Sequence, residues 1–138
     1  MQYVEAFNKL GYSVEAPRSD WSAQNDEGVC ITIWQKERMV KDGLPYLDMW
    51  ELHPNGGEWM QKPGHQKRTL HLQNAVTNYD GRIDVIFVTG EPGESYKSAN
   101  PWLTSERGFG WIISKFDQES GYFRAEIDKF KQLVGKTD

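Results

Sequence analysis

The stretch His65-Gln-Lys-Arg-Thr-Leu-His-Leu-Gln-Asn-Ala-Val-Thr-Asn-Tyr79, then Asp80-Gly81, then Arg82-Ile-Asp-Val-Ile-Phe-Val-Thr89, decides the fold class. Leu72, Ala75, Val76 and Tyr79 recur at i, i+3, i+4 and i+7, which predicts a helix over 65–79 with one apolar stripe. Asp80-Gly81 ends it, and the β-branched and aromatic run 82–89 predicts a strand. A helix that feeds straight into a strand needs a sheet to pack on.

The rest of that sheet is sought on either side. Upstream, Gly28-Val-Cys-Ile-Thr-Ile-Trp-Gln35 is the clearest strand of the first half. Its pleat puts Val29, Ile31 and Ile33 on one face and Cys30, Thr32 and Trp34 on the other. Lys41-Asp42-Gly43 signals a turn and Leu44 to Leu52 a second strand, so a hairpin is expected over about 28–52, with Pro45 at a strand start or edge. Tyr3, Val4, Phe7 and Leu10 give an N-terminal helix over 2–10 closed by Gly11, and 13–27 reads as a polar surface connection. His53-Pro54-Asn55-Gly56-Gly57 opens a loop that runs through Pro63-Gly64. Downstream, 90–108 shows no usable periodicity. Gly110–Phe116 and Tyr122–Ile127 form a second hairpin, 128–134 a short helix, and 135–138 a frayed tail. The order α-β-β-α-β-β-β predicts one α+β domain over 1–138, a mainly antiparallel curved sheet or open barrel with two helices packed against it.

Composition narrows the function classes. Charged residues at 26% and hydrophobic ones at 38% describe an ordinary soluble chain, and a net charge of −4 gives no global pull toward nucleic acid. Cys30 is the single cysteine, which rules out an internal disulfide and any cysteine-based zinc site; between β-branched neighbours it reads as a small buried hydrophobe. No basic leader with an apolar stretch opens the chain and no apolar run approaches membrane-spanning length, so a cytoplasmic location is expected.

Six tryptophans point to where binding would occur. Trp34, Trp50 and Trp111 lie in strand-like runs, whereas Trp21, Trp59 and Trp102 lie in polar segments, where an indole is either buried or used to grip something. The irregular stretch 90–108 offers Glu94, Tyr96, Trp102 and Arg107 among glycines that allow close backbone approach. The segment Trp59-Met-Gln-Lys62-Pro-Gly-His65-Gln-Lys67-Arg68-Thr-Leu-His71 concentrates base without acid ahead of a helix N-terminus, a setting that suits phosphate or carboxylate. With Trp59 beside it, a stacked base could be held as well.

Other chemistries find less support. Gly90-Glu-Pro-Gly-Glu-Ser95 lacks the Gly-Lys-Ser/Thr ending of a P-loop, and no glycine follows Ser95 as a nucleophile elbow requires. His53, His65 and His71 with Glu51 or Glu58 show no metal-ligand spacing and read as scattered surface histidines, so no metal and no cofactor is expected. Asp84 lacks the acid-x-lysine partner of a metal-dependent nuclease and reads as a solvent-facing strand position.

The stretches Gly11-Tyr-Ser-Val-Glu-Ala-Pro-Arg-Ser-Asp-Trp-Ser22, Lys62-Pro-Gly-His-Gln-Lys-Arg68 and Asp84-Val-Ile-Phe-Val-Thr-Gly-Glu-Pro-Gly-Glu-Ser-Tyr96 resemble small bacterial accessory proteins carried on integron cassettes, plasmids or prophages. The resemblance implies a bacterial, cytoplasmic, single-domain product of a mobile gene and carries over no catalytic residue. It also implies that Arg18 to Trp21 joins the two candidate segments. The expectation is therefore a non-enzymatic binding module for an anionic ligand with a flat part, a nucleotide or nucleic acid. Its site would draw on Arg18, Trp21, Trp59, Lys62, His65, Lys67, Arg68, Glu94, Tyr96, Trp102 and Arg107. The alternatives are a dimeric interaction or structural protein, with loop tryptophans at an interface, and a small hydrolase.

Overall fold

A computed structural model describes residues 1–92, 95–101 and 110–128. It has a mixed α+β fold built on an eight-stranded sheet that does not close into a barrel. The order along the chain is α1 (Tyr3–Lys9), β1 (Ser22–Asn25), β2 (Gly28–Trp34), β3 (Met39–Lys41), β4 (Leu44–Asp48), α2 (Met49–Leu52), α3 (Pro63–Asn78), β5 (Arg82–Gly90), β6 (Tyr96–Asn100), β7 (Trp111–Phe116) and β8 (Phe123–Ile127). Across the sheet the strands run β1-β2-β5-β7-β8-β4-β3, with β6 also paired to β5. The pairings are antiparallel except β2 with β5, which run parallel in the register Cys30↔Asp84 to Trp34↔Val88.

That parallel pair organises the molecule. Val29, Ile31 and Ile33 enter one core cluster with Val85 and Phe87 of β5 and with Leu72 and Ala75 of α3. Cys30 and Trp34 enter a second cluster with Ile86, Val88 and the α1 residues Ala6 and Phe7. The pleat read from the sequence is thus the one observed, but neither face meets water: α1 covers one side of the strand pair and α3 the other. Cys30 is fully buried, and burial pushes its thiol upward.

Three sequence expectations are corrected. Gly28–Trp34 is not one arm of a hairpin reaching residue 52; the Asp42-Gly43 turn joins β3 to β4 instead. A strand that is apolar on both faces belongs in the middle of a sheet, where parallel pairing through a helical crossover becomes available. Pro45 sits opposite Val40, one residue outside the ladder with β8, which starts at Tyr46↔Glu126, so its missing N–H costs that ladder nothing. Second, the polar stretch 13–27 contains β1, and the stretch read as an irregular loop contains β6. β6 lacks an apolar alternation because only Ala99 is buried; its N–H also donates to the Met1 carbonyl. Third, Trp50 lies in α2, after Asp48 caps that turn by accepting from the Trp50 and Glu51 amides. The short helix expected at 128–134 and the tail at 135–138 fall almost wholly outside the described residues, which resume no further than Asp128.

Candidate anion and aromatic site

The residues of the basic segment are sorted by α3. Pro63 occupies the first turn, where its missing N–H is harmless, and no side chain caps the helix. No acid lies in the first turn either. The buried stripe is His65, His71, Leu72 and Ala75, while Val76, expected to face the core, is 41% exposed. His65 and His71 are therefore not surface histidines. His71 Nδ1 and the buried Ser22 hydroxyl share a hydrogen bond of 2.7 Å, and burial together with Lys67 lowers the His71 pKa.

His65 lies between two of the tryptophans singled out in the sequence. Its ring centroid is 6.4 Å from Trp21 and 4.9 Å from Trp59. Trp59 also stacks on Tyr122 at 6.0 Å and packs against His53 at 5.0 Å. Close approach requires glycine here. A Cβ on Gly64 would fall 2.5 Å from the Ser19 carbonyl oxygen and 2.6 Å from the Trp21 indole nitrogen; one on Gly121, at φ +77°, would fall 2.7 Å from His65. His65 Nε2 meets the Ser120 carbonyl at 2.7 Å, and since a carbonyl only accepts, this nitrogen carries the proton. Nδ1 is then a bare lone pair, buried and without a partner among the described residues. Burial lowers the His65 pKa and Arg68 adds to the shift, while the Ser120 bond opposes it.

Arg68 follows one turn later. Its guanidinium carbon stands 5.1 Å over the Trp21 ring and 5.3 Å over Phe123. Nη2 is 4.0 Å from the Met49 sulfur, a weak acceptor, and Nε is buried with no partner. Among the described residues Arg68 forms no ion pair. Burial draws its pKa down to about 10, with the Glu37 carboxylate opposing, so it remains charged at neutral pH. Neither indole N–H of Trp21 or Trp59 has a protein acceptor among the described residues. The cluster is thus rich in unspent donors and poor in acids.

The remaining candidates divide. Lys67 is neutralised by Asp20 at 2.8 Å and Glu15 at 3.4 Å, so it is not available to an anion. Lys62 and Arg18 are exposed. Tyr96 is on the opposite side of the sheet, against Tyr3 at 5.3 Å in the α1 cluster, where its hydroxyl accepts from the Tyr3 amide. It is not brought to the site, because β6 pairs with β5 on the α1 side of the molecule. Glu94, Trp102 and Arg107 lie outside the described residues.

No family model, curated protein or solved structure matches the chain. The geometry therefore carries the functional argument. Three contributors escaped sequence reading: Phe123 and Tyr122, which looked like ordinary strand residues, and the pair His53 Nε2–Glu37 Oε2 at 3.0 Å beside Trp59. No helix among the described residues is long and apolar enough to cross a membrane.

Proposed function

We propose that the protein is a non-enzymatic binding module for an anionic ligand with a flat part, a nucleotide or a short piece of single-stranded nucleic acid, at the Trp21–His65–Trp59–Arg68 cluster. The supporting observation is Arg68. Arg68 is partly buried, with its Nε out of reach of solvent, and a guanidinium partly withdrawn from water carries a cost that proteins normally offset with a carboxylate. Here no carboxylate among the described residues comes within ion-pair distance, Glu37 acting only from further off, and two aromatic faces lie against the guanidinium instead. A ligand anion would complete the charge balance. His65 fills the space between the two indoles, so a base would stack on an outer indole face rather than between them. On its sequence resemblance we also propose a bacterial, cytoplasmic setting.

Tryptophan fluorescence titrated with mononucleotides and short single-stranded oligonucleotides tests the reading. Saturable quenching at low salt that weakens as salt rises is expected. An unchanged spectrum at high ligand and low salt overturns it.

One observation favours a second reading, self-association. From Leu70 to Asn78 the outer face of α3 carries no charge, Leu70 is 70% exposed, and Val76 joins Ile113 and Phe116 around an open depression of about 360 Å³. Sedimentation at increasing concentration separates the two readings. A dimer lost in Leu70→Glu supports the second, and a monomer throughout removes it.

A further inference from the structure

We propose that the site takes up one proton with its ligand: His65 engages an oxyanion through Nδ1 as an imidazolium, beside Arg68. This rests on the binding reading above and specifies how that site is regulated. The reasoning starts from one fixed hydrogen bond. Because Nε2–H is committed to the Ser120 carbonyl, Nδ1 can only be a lone pair while the ring is neutral. An oxyanion brought against that lone pair would meet repulsion. Protonation reverses the sign, giving a ring that donates from Nε2 to Ser120 and from Nδ1 to the ligand, with every polar atom satisfied.

The surroundings suit a site that waits for its proton. His65 is only 4% exposed, and burial together with Arg68 opposes a second positive charge there. His65 also borders an open depression of about 320 Å³ with Gln61, Gln66, Thr69, Glu119 and Ser120. The ionisable groups around it are few. Arg68 follows on α3 and Glu119 is on the β7–β8 turn. His53, paired to Glu37, and Glu58 lie on the Trp59 side; Asp20 with Lys67 and Glu15 lie on the Trp21 side. Lys67 with its two acids is a closed unit, as is His53 with Glu37. An incoming anion beside Arg68 offsets the charge that disfavours the imidazolium, so ligand and proton bind together.

Calorimetric titration with tetrathymidylate tests this, since neither its phosphodiesters nor its thymines change charge between about pH 5.5 and 7.5. Affinity is expected to rise several-fold, at most about tenfold, for each pH unit of acidification. Heats near pH 6.5 in two buffers of different ionisation enthalpy should report uptake approaching one proton. His65→Gln should bind several-fold more weakly at acid pH, with an affinity that no longer changes with pH and no proton uptake, while His53→Gln keeps both effects. Should His65→Gln fail to fold, the buffer comparison on the unmodified protein and on His53→Gln decides alone. Equal affinity at every pH, with equal heats in both buffers, overturns the proton coupling and leaves the binding site standing. Affinity that falls on acidification overturns it too, because Nδ1 would then be accepting from a donor on the ligand. Absence of any binding overturns both.

Discussion

Arg68 and Lys67 are adjacent in sequence and opposite in circumstance. Lys67 is held by Asp20, which is buried, and by Glu15; the Asp20 hydrogen bond leads the causes that raise the Lys67 pKa. Removing it strands a buried carboxylate that, among the described residues, otherwise accepts only from the Ala16 amide, so Lys67→Ala should destabilise the fold by about 1–3 kcal/mol in urea denaturation. Arg68 has no such partner among the described residues. Arg68→Met keeps much of the volume and sulfur contact while removing a desolvated charge, and should raise stability by about 1 kcal/mol or more. A loss of stability in Arg68→Met would mean that the guanidinium is compensated inside the fold, and would remove the reason to look for a ligand.

At the scale of elements, the start of α3 is fixed by one glycine against the 19–21 turn. Gly64→Ala should cost about 1–3 kcal/mol because the obstacle is the Ser19 backbone as well as the Trp21 ring, and it should shift tryptophan emission as that ring is displaced. An unchanged melting temperature and spectrum would show that the contact is loose. The same elements show what the sequence can and cannot reveal. The helix ending at Asp80-Gly81, the strand after it and the terminal hairpin were legible because period and punctuation agree there. The partner of β2 was not: a run apolar on both faces says that the strand is central without saying which strand lies beside it. β1 and β6 escaped because each is short and owes its place to one neighbouring strand and a helix above it. In the proposed site, the concentration of base at 62–68 and the isolated tryptophans pointed to residues of which the fold brings Trp21, Trp59, His65 and Arg68 together. That Lys67 is spent and Arg68 is not depends on Asp20 and Glu15, and nothing in their spacing advertises that contact.

For the whole molecule, two buried neutral histidines set the response to acid. His65 and His71 both have pKa values lowered in the fold, chiefly by burial. The unfolded chain therefore binds protons first as pH falls through the ordinary histidine value near 6.5, and stability is full above that value and lost below it. Each histidine contributes up to about 1.4 kcal/mol per pH unit in that window. Denaturation midpoints should thus fall between about pH 7.5 and pH 5.5, with a shallower slope in His71→Gln. A flat profile would contradict the burial of both rings. The most direct measurement of the binding claim compares the two neighbours: fluorescence titration of Lys67→Ala and Arg68→Met with tetrathymidylate at low salt. Quenching retained in the less stable Lys67→Ala and lost in the more stable Arg68→Met is the expected result; equal quenching in both would show that the unpaired guanidinium does not hold the ligand.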